Sequence, residues 1–139
     1  MIKEKTIDNV NVGDKAYFTK TITETDIVLF AGLTGDFAPH HVDAEFAKTT
    51  MFGERIAHGM LIASLTCAVT TKLASPGALT ISQEVKFKLP VKIGDTITVI
   101  GEVAEKIYEK KIVKIRTYCL NQRGEMVIDG MAVELMRVR

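Results

Sequence analysis

Hydrophobic residues change their spacing midway along the chain. In the first half they recur at helical intervals: Ile27, Val28, Phe30, Ala31 and Leu33 form a stripe. Thr23 is placed to cap it, with Asp26 three residues later as the second half of a capping box, and Gly35 is placed to end it. Asp43 is a second N-cap candidate, heading a short helix over 44–49. From Met60 to Ala74 the residues are apolar or small almost all round, which predicts one long helix buried on every side. Ser75-Pro76-Gly77 stops it.

Beyond position 80 the period falls to two. Ile81, Val85, Phe87 and Leu89 alternate with Ser82, Glu84, Lys86 and Lys88, predicting a half-buried strand. Strand patterns continue over 96–104, 111–120 and 125–136, with a hairpin turn at Asn121-Gln122-Arg123-Gly124, and 15–22 fits an opening strand. One apolar helix followed by several antiparallel strands points to an α+β fold, a curled sheet wrapped around the helix. Such a sheet leaves an open edge, so a homodimer, or a dimer of dimers, is expected to complete it.

The chain has 139 residues, which suits a single domain over 1–139, and its 47% apolar content can build a core. A formal net charge of +1, with acids interspersed among the basic clusters, gives no footprint for nucleic acid or an acidic membrane. The N-terminus shows no signal-peptide pattern and the longest uncharged run, Ile56 to Thr71, falls short of a bilayer span. Cys67 and Cys119 have neither a CxxC nor a zinc spacing and read as buried small hydrophobes. The expectation is a cytoplasmic protein without cofactor or metal.

Polar chemistry is densest in Gly35-Asp36-Phe37-Ala38-Pro39-His40-His41-Val42-Asp43. Pro39 keeps Ala38 out of helical geometry, so an extended segment is expected, with His40 and His41 on opposite sides. Asp36 and His41 could then converge on one water as an acid/base pair. Spacing alone leaves open that Asp36 caps a turn while the histidines fill surface or core. Asp36, Asp43, His40, His41 and His58 also make a set of metal-ligand types, but without a recognisable ligand spacing. The stretch Ile56-Ala57-His58-Gly59-Met60-Leu61 opens the apolar helix. Gly59 there either brings a backbone N–H within reach of a carbonyl oxygen, as in an oxyanion hole, or merely lets the chain turn.

Phe30 to Asp43, followed by Ile56 to Leu61, together resemble the MaoC-like family of R-specific enoyl-CoA hydratases and acyl-carrier-protein dehydratases. The family pattern is roughly Gly-Asp-x-Asn-Pro-hydrophobic-His, then a His-Gly-Met helix start. The resemblance implies a hot-dog fold and a catalytic pair on Asp36 and His41. It also implies an oxyanion donor on Gly59, with Pro39, His58, Met60 and Cys67 around a CoA or carrier-protein thioester. The sequence departs in three places: Ala38 replaces the motif asparagine, His40 replaces the hydrophobic residue, and Cys67 stands where some members carry a serine. Two alternatives follow. One is a hot-dog acyl-CoA thioesterase, which usually carries its carboxylate on or beside the central helix; 60–74 contains none. The other is a non-catalytic acyl-thioester-binding subunit of a dehydratase.

Overall fold

The computed structural model describes residues 3–137. The elements run β1 (Lys15–Thr21), α1 (Glu24–Thr34), α2 (Pro39–Val42), α3 (Ala44–Lys48), α4 (Gly59–Ser64), α5 (Cys67–Ala74), β2 (Leu79–Phe87), β3 (Thr96–Ile107), β4 (Ile112–Leu120) and β5 (Met126–Leu135). The five strands form one antiparallel sheet in the order β1-β3-β4-β5-β2. Bulges near Ala104 in β3 and Ile81 in β2 add local bend and twist, which lets the sheet curl over the helices.

Local sequence chemistry sets the helix boundaries. Thr23 and Asp26 form a reciprocal capping box at the head of α1, and Gly35 ends it in the left-handed conformation, at φ 77°. Asp43 caps α3 by accepting from the Glu45 and Phe46 N–H groups. In β4 the alternation is complete: Val113, Ile115, Thr117 and Cys119 are buried and their neighbours are partly exposed. The core joins Val113, Ile115 and Cys119 to Ile97, Val99 and Val103 of β3, Ile62 of α4, and Val69 and Leu73 of α5. Gly101 permits the closest approach: a Cβ there would lie 2.9 Å from Val69 Cβ and 3.1 Å from Leu73 Cδ1.

Four expectations are corrected. The apolar run from Met60 is two helices, because Leu65 and Thr66 shift to i→i−3 bonding. The hydroxyls of Ser64 and Thr66 donate to the carbonyls of Leu61 and Ala63, competing with the regular helical ladder. Thr66 is fully buried and also accepts from Gln83 Nε2 of β2 at 2.8 Å. Burial around these helices is one-sided, since Met60, Ser64 and Cys67 are exposed; Cys67 is therefore not a buried hydrophobe, whereas Cys119 is. In the α1 stripe only Ile27 and Ala31 are buried, with Val28 and Leu33 exposed. Strand β2 is not half-buried: it lies at the sheet edge, and Ile81, Phe87 and the following Leu89 are exposed.

Candidate active site

Three segments converge on one cavity: the loop and turn after α1, the start of α4, and the chain after β2. The cavity, about 470 Å³, is lined by Asp36, His41, His58, Gly59 and Met60 together with apolar walls such as Ile62 and Phe87. Its size and mixed lining suit a small ligand with an apolar part.

Asp36 follows the C-cap glycine of α1. Its N–H donates to Thr34 Oγ1 at 3.2 Å, and its Oδ1 accepts from the Ala38 N–H at 3.2 Å. A main-chain donor thus holds the carboxylate at the position where the family motif has asparagine. Ala38 is extended, as the following proline requires, but Pro39 itself starts a helical turn at N1. His40 and His41 therefore share a short helix rather than opposite faces of an extended segment, and both line the cavity. Their ring centroids are 4.0 Å apart.

His41 is buried and its Nδ1 lies 2.8 Å from the Ile56 carbonyl. A carbonyl only accepts, so Nδ1 carries the hydrogen and the neutral ring turns the Nε2 lone pair toward Asp36. Nε2 stands 3.9 Å from Asp36 Oδ2, beyond a direct hydrogen bond and suited to one oxygen held between them. Burial lowers the His41 pKa below the ordinary histidine value, helped by the neighbouring His58 and His40 rings. The Ile56 hydrogen bond and Asp36 oppose that shift.

Gly59 is the first residue of α4, and its N–H has no hydrogen-bond acceptor among the described residues. A Cβ at Gly59 would lie 2.7 Å from Phe87 Cδ1, so the ring of β2 closes directly over this glycine. His58, preceding it, is 2% exposed; its Nε2 lies 2.9 Å from the Asp36 carbonyl oxygen and its ring stacks on His41 at 4.0 Å. Sequence reasoning placed His58 beside a thioester and gave no sign of this bond, which joins residues 22 apart. Met60 lines the cavity but is largely solvent-exposed. Pro39 and Cys67 do not line it: Pro39 starts the α2 turn, and Cys67 opens α5 facing solvent.

One donor atom from each of Asp36, His41 and His58 lies within 4.8 Å of the others, so this trio has the residue types of a metal site. The two imidazoles, however, are stacked with only 29° between their planes. Their in-plane lone pairs run side by side instead of converging on one point, which suits hydrogen-bonded acid/base groups better than ligation.

A curled antiparallel sheet on a helical core, with a carboxylate and a neutral imidazole facing a helix-start amide, defines a hot-dog protein with an acid/base site. Residues 8–122 match the MaoC-like domain, and the chain belongs to that family. It is 46% identical over 133 residues to an (R)-specific enoyl-CoA hydratase of Rhodospirillum rubrum, covering 95% of this chain and 92% of the relative. It is 42% identical to a 3-hydroxybutyryl-CoA dehydratase of Methylorubrum extorquens, covering 91% and 80%. Among solved structures, an unliganded R-hydratase from Pseudomonas aeruginosa superposes with a TM-score of 0.89 at 40% identity, covering 98% of this chain and 88% of that one.

Proposed function

We propose that this chain is an enzyme that hydrates trans-2-enoyl-CoA to the R-3-hydroxyacyl thioester, or runs the reverse dehydration, with Asp36 and His41 as its acid/base pair. The observation that carries this reading is the 3.9 Å gap between His41 Nε2 and Asp36 Oδ2 inside a cavity that also holds the Gly59 amide. The substrate carbonyl accepts from the Gly59 N–H, which places Cβ against a water held by the pair. Neutral His41 takes a proton from that water at Nε2 as its oxygen bonds to Cβ, and Asp36 orients the water. The pair returns one proton to Cα on the same face, so a whole water is added and the pair ends as it began. Enolate charge builds on the thioester oxygen as Cβ is attacked; a single oxyanion donor is worth about 2.7–4 kcal/mol.

Asp36→Asn and His41→Gln test this directly. Each should fold normally and lower crotonyl-CoA hydration by roughly 10²–10⁴-fold, the usual scale of general acid/base assistance. Near-normal rates in both would end the proposal, and so would an S-configured product.

The reading extends to one hot-dog domain over the whole chain, acting as a homodimer in the cytoplasm. The outer edge of β2 supports the dimer: among the described residues β2 pairs only with β5, and it carries exposed Leu79, Ile81 and Phe87. Two unpaired thiols, one exposed, suit a reducing compartment. No helix among the described residues is long and apolar enough to cross a membrane.

A further inference from the structure

We infer that His58 is a positioning residue, a single buried ring that holds both members of the Asp36/His41 pair in register without itself transferring a proton. The inference rests on the hydratase reading above and names a third residue for that site.

Three contacts carry it. The Asp36 carbonyl can only accept, so the 2.9 Å contact puts a hydrogen on His58 Nε2 and ties the Asp36 main chain to the residue before α4. The His58 ring stacks on His41 at 4.0 Å, and on its own element it directly precedes Gly59. Phe30 of α1 supports the ring at 5.0 Å between centroids. Asp36 needs such an anchor, because its side chain is half exposed and sits on a loop. The Ile56 hydrogen bonds already tie the α2 turn to the chain before α4, but among the described residues only the His58 bond ties the Asp36 loop to it. A displacement of about 1 Å in such a constellation is enough to cost on the order of 10²-fold in rate. His58 Nδ1, buried without a partner, remains as an acceptor facing the same surroundings.

The arrangement also has an electrostatic consequence. The groups facing His41 are the Asp36 carboxylate from the loop, His40 on its own turn, the Ile56 carbonyl, and His58. Lys88, after β2, lines the same cavity. Of these, His58 and His40 disfavour the imidazolium of His41. Removing the His58 ring should therefore let His41 protonate at higher pH.

The test uses His58→Phe, which keeps the stack and loses the donor, and His58→Gln, whose amide nitrogen still reaches the Asp36 carbonyl. For crotonyl-CoA hydration, H58F should lose at least ~10-fold in kcat with KM within about twofold, and H58Q should recover most of that loss. The acid limb of H58Q should move up in pH. Long-range 1H–15N spectra of the wild-type imidazoles, independent of any activity, should show hydrogen on His41 Nδ1 and His58 Nε2. Unchanged kcat in folded H58F, or a raised KM with kcat intact, overturns the inference and makes His58 a bystander or a substrate contact. An unmoved acid limb in H58Q, or hydrogen on His58 Nδ1 alone, overturns it equally. Should H58F not fold, an H58Q enzyme no better than His58→Asn, whose shorter amide cannot reach, overturns it as well. A wild-type enzyme with no hydration of any enoyl thioester would instead sink the hydratase reading, while the spectra still judge the geometry.

Discussion

At the scale of single residues, protonation ties structure to rate. The His41 pKa lies below the ordinary histidine value, so the ring stays neutral, with its Nε2 lone pair available, at pH values where a free histidine is already charged. Activity should persist as pH falls through about 6.5 and drop only below it, in a pH profile of kcat/KM. Glu134 of β5 shifts the other way: burial raises its pKa, only partly offset by the Thr80 hydroxyl. Its contribution to stability is therefore full below the unfolded carboxyl pKa and lost as pH rises through the folded value. Glu134→Gln should raise Tm at pH 7, with the gain shrinking toward pH 4 in a thermal melt series. Asp36 and His41 were legible as a pair because a proline-bounded segment carried both. The bond from His58 to the Asp36 carbonyl was not, because it forms only when the chain folds back on itself, and no local pattern encodes that.

Secondary structure was legible where the chemistry is local. The Thr23/Asp26 box, the Asp43 cap and the Gly35 stop each act within one turn, and each stands where the sequence placed it. The break at Leu65-Thr66 was hidden, because hydrophobicity dominates the pattern while two hydroxyls decide the bonding. Pro39 shows both sides of one residue: it fixes Ala38 as extended, yet its own φ favours starting a helix. Two glycines separate packing from chemistry. Gly101→Ala would press a methyl against Val69 and Leu73 inside the core, and should cost about 1–3 kcal/mol in denaturant unfolding. Gly59→Ala meets the Phe87 ring, a side chain rather than backbone, so the chain should still fold while crotonyl-CoA turnover falls.

For the whole molecule, an antiparallel sheet packed on apolar helix followed from the switch in hydrophobic period, but the strand order and the placement of β2 at its edge did not. Alternation along 81–89 is what a strand with one covered face looks like, yet within a single chain only Val85 packs partly against the core, and Ile81, Phe87 and Leu89 stay open to solvent. The pattern makes sense if a second copy covers them. Light scattering should then give twice the 15.3 kDa chain mass, and Ile81→Lys, which puts a charge on the exposed strand, should return the protein to 15.3 kDa. The Phe87 ring leans on the first residue of α4 from the outermost strand. If a second copy covers that rim, quaternary assembly and the reacting carbonyl share a wall one phenyl ring thick. Anything that grips or releases the rim of the sheet is felt at that amide, so turnover should depend on protein concentration wherever subunits come apart.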